Sequence, residues 1–297
     1  MRILLTGADG FIGKNMKTFL HEALLIPIGS KSVYDDAGRN EIETFDWVGE
    51  EGGFPNVQGF DRVIHLGAES STTERDVEKV MKKNHDFSCK LLLACNEHKV
   101  DFQYASSASV YGGTQGIIDQ GGFLEDDAKY PQHPYAWSKY LFDRLVEKNI
   151  EKGLFDIKVQ GFRYFNVYGP YITEMHKGNQ ASIWTKSHGN TAVQLFEGSD
   201  KILRDFIHVE DVCKIHHVVG AKDWSGIVNV GTGVASSFKD VGEAIVADPK
   251  SKAEWIDYIE FPEHLKATYQ YETLANVNLL RELIGDDYKF RTITEPV

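Results

Sequence analysis

The chain has 297 residues, of which 42% are hydrophobic and 26% are charged, so disordered and fibrous classes are excluded and about two domains are expected. The 32 Lys and Arg against 44 Asp and Glu leave a formal charge of −12 at pH 7, with the acidic residues spread along the sequence. Because such a surface repels phosphate backbones, we do not expect nucleic acid as a partner.

Short apolar runs alternate with longer helical patterns over the first 170 residues. Strands are predicted at Ile3–Leu5, Leu25–Ile28, Thr44–Phe45, Arg62–Leu66, Phe102–Ala105 and Ile157–Phe162. Helices are predicted at Phe11–Glu22, Asp76–His98 and Tyr135–Lys152, and Gly112–Gly122 is predicted to be a loop. This alternation predicts an α/β fold with a doubly wound parallel sheet covered on both faces.

The alternation stops after Gly169-Pro170. The segments from about 171 to 204 and from about 236 onward are predicted to be irregular and are rich in aromatic residues. Between them, His208–Ala221 is predicted as a helix and Ile227–Val230 as a strand that returns to the main sheet. We therefore expect a nucleotide-binding domain over 1–170, rejoined near 207–233, and a smaller interleaved lobe formed by 171–206 and 234–297.

A glycine-rich turn connects the first strand to the first helix. Gly7, Gly10 and Gly13 are spaced three apart, and Phe11 and Ile12 open the helix. Glycine lets the backbone approach a pyrophosphate, while the helix N-terminus offers free N–H groups and a partial positive charge. A purely structural strand–turn–helix is the alternative, but the position after an apolar strand favours a Rossmann-type dinucleotide site.

The end of the second predicted strand bears on which dinucleotide binds. A site for NAD usually keeps an acidic residue there, to hold the ribose hydroxyls. This chain has Gly29-Ser30-Lys31 instead, and a lysine beside a small hydroxyl suits a 2′-phosphate. The sequence therefore favours NADP, with a solvated surface charge as the alternative interpretation of Lys31.

Tyr135 and Lys139 lie four residues apart, on one face of a predicted helix. This spacing is expected by chance about once in such a chain, so only the position after the strand 102–105 and its serine-rich loop is informative. A phenol has a reference pKa of ~10, which we expect the ammonium of Lys139 to lower. The Ser107 hydroxyl could hold the substrate oxygen, or could serve only as a cap or turn residue. With a nicotinamide, these groups suffice to oxidise an alcohol by hydride transfer.

These motifs resemble the extended short-chain dehydrogenase/reductases that act on nucleotide sugars. Within that family the sequence is most similar to the 6-epimerases of ADP-glycero-manno-heptose. The family resemblance rests on the glycine turn, the Tyr135–Lys139 helix, Ser107–Gly112, His65–Ala68, Asn84 and Arg163–Pro170. The stretches specific to the 6-epimerases run over nearly the whole chain and are Gly67–Glu74, Gly161–Pro170, His176-Lys177-Gly178, Leu195–Ser199, Arg204-Asp205-Phe206 and Tyr269-Gln270. The sequence departs from the usual pattern at Gly29-Ser30-Lys31, at Asn179, where serine is usual, and at Lys186, where histidine is usual.

The resemblance implies that hydride leaves C6 of the heptose and returns to the opposite face of a transient ketone. It implies that Tyr135 and Lys177 are acid/base groups, that Lys139 holds the nicotinamide ribose and that Ser107 contacts the reacting oxygen. The motifs and the resemblance together give the expected cofactor-binding residues, which are Gly7, Gly10, Phe11, Ile12, Gly13, Ser30, Lys31, Asp46, Leu66, Gly67, Ala68, Ser70, Asn84, Lys139 and Val167. The implied substrate-binding residues are Ser107, Asn166, Asn179, Lys186, Phe196, Glu197, Gly198, Ser199, Arg204 and Tyr269.

Each of these substrate assignments has a structural alternative. Phe196 and Tyr269 could be core aromatics, Asn166 a turn residue, and Arg204 half of a surface ion pair with Asp205. At the level of the whole protein, the alternatives are another nucleotide-sugar epimerase, such as a hexose 4-epimerase, and a non-catalytic NADP-binding protein. A 4,6-dehydratase is disfavoured because Ala108-Ser109 stand where that class has Asp-Glu.

The remaining expectations concern the cysteines, the termini and assembly. Cys89, Cys95 and Cys213 are odd in number and show no CxxC spacing, so neither a disulfide framework nor a metal site is expected. The apolar run at the N-terminus is too short for a signal peptide, and runs such as Ala23–Ile28 fall below the ~18 residues that span a bilayer. We expect a cytoplasmic homo-oligomer that binds a nucleotide sugar and contacts no membrane.

Overall fold

A computed structural model describes residues 1–22, 41–45, 54–113, 116–170, 191–266 and 269–295. Its strands are β1 Arg2–Thr6, β2 Glu41–Phe45, β3 Arg62–His65, β4 Asp101–Ser107, β5 Val159–Tyr164, β6 Asn166–Tyr168, β7 Ala192–Phe196, β8 Leu203–His208, β9 Gly226–Val230, β10 Ala235–Ser237, β11 Trp255–Ile259 and β12 Glu272–Thr273. Its α-helices are Phe11–Glu22, Val77–Val80, Phe87–His98, Pro134–Glu151, Val209–Gly220, Phe238–Ala247, Glu263–Lys266 and Asn278–Ile284. A π-helical segment, Met81–Asp86, joins the second and third of these helices.

The main sheet has six parallel strands in the order β2-β1-β3-β4-β5-β9. The chain leaves β1 toward β2 on one side and reaches β3 on the other, so the strand order reverses at β1. Ligands of such sheets bind beyond the carboxyl ends of the strands at this reversal, which is where the glycine turn lies. The predicted α/β, doubly wound fold is confirmed. The predicted strand Leu25–Ile28 lies outside the described residues.

Helices cover both faces of this sheet because successive strand residues point to opposite sides. On one face, Ile3 packs with Met16 of the first helix and Cys213 of the helix Val209–Gly220. On the other face, the neighbouring Leu4 packs with Leu91 of the helix Phe87–His98. Strands buried on both sides are rich in apolar residues, which is why several of them appear in the sequence as short apolar runs.

Regular structure continues beyond residue 190, so the expectation of irregular segments there is wrong for much of the described part. Strand β7 pairs in parallel with β11, while β8 pairs with β10, β12 and β6. These strands are two to six residues long, and several partners lie far apart in sequence. Such short, non-local pairs leave little periodicity to detect.

The described part of the chain contains no helix long and apolar enough to cross a membrane. Its three cysteines are free thiols, with Cys95 and Cys213 buried and Cys89 half-buried. Within the same residues, no group of three His, Cys, Asp or Glu side chains is arranged to hold a metal ion.

Candidate active site at the carboxyl ends of the strands

The glycine turn has the three properties that a dinucleotide site requires. Gly7 adopts φ +73°, and a Cβ built on it would lie 2.5 Å from the Gly67 nitrogen. A Cβ on Gly13 would lie 2.0 Å from the Gly7 oxygen, so this glycine allows the helix to pack closely on the turn. A Cβ on Gly10 would meet only the Gly7 oxygen within 4 Å, at 3.2 Å, which leaves its backbone free to approach a ligand. These residues fit the pyrophosphate of a nicotinamide dinucleotide.

The turn after β3 lies beside this site. Leu66 and Gly67 are half-buried there, whereas Ala68 and Ser70 are exposed. The buried Asn84 side chain accepts a hydrogen bond from the Glu69 nitrogen at 2.8 Å and donates one to the Glu69 oxygen at 3.0 Å. Of the other predicted cofactor residues, Phe11 and Val167 are buried and Ile12 is half-buried, whereas Ser30, Lys31 and Asp46 lie outside the described residues.

Tyr135, Lys139 and Ser107 meet at the end of β4. The helix Pro134–Glu151 starts one residue before Tyr135, with Pro134 in its first turn and His133 as its cap. The Lys139 ammonium lies 6.0 Å from the centre of the Tyr135 ring and donates a hydrogen bond of 2.8 Å to the Ala105 oxygen. The Ser107 hydroxyl accepts a hydrogen bond from the Ser109 nitrogen at 3.2 Å and lies near enough to Tyr135 to lower the pKa of its phenol. Ser107 is therefore both a cap and a neighbour of Tyr135.

Burial controls the titration of this group. It raises the pKa of Tyr135 above its usual value, and the hydrogen bond from Ser107 opposes that change only in part. Burial also lowers the pKa of Lys139 to about 8, against the attraction of Asp143. The expectation that Lys139 lowers the pKa of Tyr135 is wrong for this structure, because the ammonium is directed at the Ala105 carbonyl and desolvation of the phenol dominates. Tyr135 is a protonated phenol at neutral pH.

Arg204 is 4% exposed, although it carries a full charge. It donates to the Leu203 and Gln270 oxygens, and its guanidinium lies 5.5 Å from the centre of the Tyr269 ring. Burial lowers its pKa to about 10, so it stays a cation at neutral pH.

The alternative of a surface ion pair with Asp205 does not hold. The Asp205 carboxylate instead accepts from the nitrogens of Thr232, Gly233 and Ala275. No carboxylate pairs with Arg204 among the described residues. A buried guanidinium without an acidic partner there suits an anionic ligand such as a diphosphate.

Two of the other predicted substrate residues, Phe196 and Tyr269, lie near each other. Phe196 and Tyr269 both contact Phe261, with ring centres 4.9 Å and 5.0 Å away, and both are half-buried rather than core residues. Next to Phe196, Glu197 and Gly198 are exposed, whereas the Ser199 hydroxyl is buried and has no hydrogen-bond partner among the residues that the structure describes. Asn166 starts β6 and pairs with Phe206 of β8. Lys177, Asn179 and Lys186 lie outside the described residues.

Sequence reasoning gave no role to a buried ion pair behind the helix that carries Tyr135. Arg163 Nε lies 2.7 Å from Asp143 Oδ2, and both side chains are fully buried. Two features of the sequence could have predicted this ion pair. Asp143 is four residues after Lys139, on the same side of the helix, and Arg163 interrupts an apolar strand.

Comparison with known proteins agrees with this arrangement. The profile of the NAD dependent epimerase/dehydratase family matches residues 3–231. The ADP-L-glycero-D-manno-heptose-6-epimerase of Brachyspira hyodysenteriae is 36% identical, over 99% of this chain and 95% of the relative. The crystal structure of the enzyme of that name from Helicobacter pylori is 26% identical with a TM-score of 0.76, covering 99% of this chain and 92% of that one.

A more distant structure shares the fold. The UDP-N-acetylglucosamine 4-epimerase of Methanobrevibacter ruminantium M1, solved with UDP-N-acetylmuramic acid, is 20% identical with a TM-score of 0.77 and covers 98% of this chain and 93% of that one. The profile match over most of the chain and the full-length similarity agree with the glycine turn and the Tyr135–Lys139 helix. The chain belongs to the NAD dependent epimerase/dehydratase family.

Proposed function

We propose that this protein is an epimerase that inverts C6 of ADP-glycero-manno-heptose by transient oxidation of the sugar. The juxtaposition of Tyr135, Ser107 and Lys139 at the carboxyl end of β4, on the same edge of the sheet as the glycine turn, supports the reaction type. The full-length similarity to a heptose 6-epimerase supports the choice of sugar.

The reaction divides between the cofactor and the side chains. A bound nicotinamide supplies the hydride acceptor, and in its reduced form the hydride donor. Ser107 would hold the substrate oxygen, and Tyr135 would exchange a proton with it as the carbonyl forms and is reduced. Lys139 would move from the Ala105 carbonyl to the nicotinamide ribose, which exchanges its hydrogen bond to that carbonyl for one to the ribose and keeps its charge near Tyr135.

The substrate's diphosphate would bind at Arg204, whose buried cation has no acidic partner in the described residues. Asn166, Phe196, Glu197, Gly198, Ser199 and Tyr269 would surround the remainder of the nucleotide sugar, together with Asn179 and Lys186. We propose NADP as the cofactor because Ser30 and Lys31 suit a 2′-phosphate and stand where a site for NAD usually has an acidic residue.

Incubation of the protein with NADP and a panel of nucleotide sugars, followed by NMR, tests this function. We expect inversion at C6 of the ADP-heptose without net formation of NADPH, because the hydride returns to the same sugar. Inversion at C4 of a UDP-hexose would assign the protein to a different epimerase, and sustained NADPH production would make it a dehydrogenase. Cofactor binding without conversion of any sugar would indicate a non-catalytic protein.

Lys177 is proposed as the second acid/base group. Rotation about the exocyclic C5–C6 bond presents the other face of the ketone and turns its oxygen away from Tyr135, so a second proton donor is required. We expect Lys177→Met to lower kcat at least about tenfold while KM changes little, because a proton donor acts in the transition state. A raised KM with kcat within a few-fold of wild type would instead make Lys177 a phosphate contact.

A further inference from the structure

A buried chain of polar side chains runs from the glycine turn into the helical layer. Thr6 Oγ1 lies 2.6 Å from His65 Nδ1, and His65 Nε2 lies 2.8 Å from Ser88 Oγ. The Ser88 hydroxyl in turn donates to the backbone carbonyl of Asn84. Each of these four residues is at most 3% exposed. Burial of this many polar atoms is tolerated only when each has a partner.

The direction of each hydrogen bond in this chain is fixed. Burial lowers the pKa of His65 to about 3, so its ring is neutral and carries one N–H. The Asn84 carbonyl can only accept, so the Ser88 proton points to it and the Ser88 oxygen accepts from His65 Nε2–H. His65 Nδ1 is then the acceptor for the Thr6 hydroxyl, whose oxygen accepts from the Gly67 nitrogen at 3.3 Å.

The same Asn84 continues the chain through its side chain. Its Nδ2 donates to Ser138 Oγ at 3.0 Å, and Ser138 Oγ donates to the Tyr135 carbonyl at 2.7 Å. Its amide also clamps both backbone groups of Glu69. Asn84 therefore joins the turn after β3 to the first turn of the helix that carries Tyr135.

Asn84 lies inside the π-helical segment Met81–Asp86. A π turn is wider than an α turn, is rare and is frequently found at functional sites. Here the Asn84 backbone carbonyl accepts from Ser88, while the Asn84 side chain bonds to Glu69 and Ser138. The two sides of the predicted cofactor site are connected through this one residue.

We propose that His65 is a positioning residue of the cofactor site, which sets the Gly67 amide through Thr6 and the Asn84 clamp through Ser88. The turn 66–70 and the N-terminus of the Tyr135 helix are thereby held in one arrangement before the cofactor binds. The inference rests on the proposed function only in taking a nicotinamide dinucleotide as the ligand. A network that merely stabilised the fold would leave cofactor affinity unchanged.

Two substitutions at Thr6 separate the hydroxyl from the methyl group. Thr6→Val keeps the shape but leaves His65 Nδ1 and the Gly67 nitrogen unpaired, whereas Thr6→Ser keeps the hydroxyl. The fluorescence of bound NADPH measures the Kd. We expect Thr6→Val to raise this Kd about fivefold or more, which matches the free-energy cost of an unsatisfied buried polar group. We expect Thr6→Ser to stay within about twofold of wild type. Equal affinity in Thr6→Val and wild type would overturn the proposal.

Ser88→Ala removes the hydrogen bonds on the other side of His65. This variant tests the proposal if Thr6→Val does not fold. We expect it to raise the Kd for NADPH in the same direction. Ser225→Ala is the matched control, because Ser225 accepts a bond from the Val159 nitrogen at the opposite end of β5. An equal loss of affinity in Ser88→Ala and Ser225→Ala would show that the effect is not specific to this network and would refute a positioning role.

The state of the His65 ring provides a readout that needs no cofactor. In protein labelled with ¹⁵N-histidine, NMR should show His65 as the neutral Nε2–H tautomer from pH 5 to 8. The Nδ1–H tautomer, or a ring that titrates in that range, would overturn the proposed direction of the chain. Failure of the wild-type protein to bind any nicotinamide dinucleotide would instead count against the proposed function, so the two failures are distinguishable.

Discussion

Tyr135→Phe should lower the rate of epimerisation by about 100-fold or more while the protein still binds its cofactor. The substitution removes only the phenolic oxygen, which is the atom proposed to exchange a proton with the substrate. The ring that packs beside Lys139 remains, so the glycine turn and the Lys139 ammonium keep their positions. Single-turnover NMR of the sugar and NADPH fluorescence measure the two effects separately.

Tyr140→Phe is the matched control for this variant. Tyr140 lies on the same helix, and its ring packs edge-on against Trp137 with the centres 5.7 Å apart. The same oxygen atom is removed from the same residue type, yet we expect turnover within about twofold of wild type. Wild-type turnover in Tyr135→Phe would remove Tyr135 from the proposed mechanism, and equal losses in both variants would indicate a structural effect.

Much of the main sheet could be predicted because several of its buried strands, such as β1 and β3, are short apolar runs in the sequence. The predicted helix Phe11–Glu22 has the observed bounds, and the predicted strand Arg62–Leu66 ends one residue beyond β3. The prediction of the helix Asp76–His98 missed its π segment, since no residue pattern distinguishes a π turn from an α turn there. Strand β12 has two residues and is defined only by its pairing with β8, which lies about seventy residues earlier.

The parts of the candidate site that could be predicted are those in which all residues of a motif lie on the same helix or strand. Tyr135 and Lys139 share a helix, so their spacing alone places them together. Arg204 and Asp205 show the opposite case, because neighbours in sequence suggest an ion pair. Both belong to β8, where successive side chains point to opposite faces, so each finds different partners. The contacts of Thr6, His65 and Ser88 depend on three separate elements, and no local pattern encodes them.

Asp143→Ala should lower the free energy of unfolding by about 3–5 kcal/mol, the scale for removing one partner of a buried ion pair. The Asp143 carboxylate accepts from Tyr104, Ser106 and Arg163 at 2.7–3.0 Å. Its loss leaves the fully buried Arg163 guanidinium without its closest counter-charge, since Glu147 lies farther away at 3.2 Å. Urea unfolding, followed by circular dichroism, measures the change.

The loss of unfolding free energy depends on how deeply the ion pair is buried, and an ion pair on the surface provides the comparison. Asp156 pairs with Lys99, and the two side chains are 69% and 60% exposed. Asp156→Ala also removes a carboxylate from an ion pair, but we expect a loss of at most about 1 kcal/mol because water solvates the remaining lysine.

If the cost of Asp143→Ala comes from the unpaired cation, adding Arg163→Met should recover part of the lost stability, since no buried charge then remains. The two losses would then be far from additive. Additive losses in the double variant, or equal losses at Asp143 and Asp156, would show that the buried charge is not what the fold depends on here.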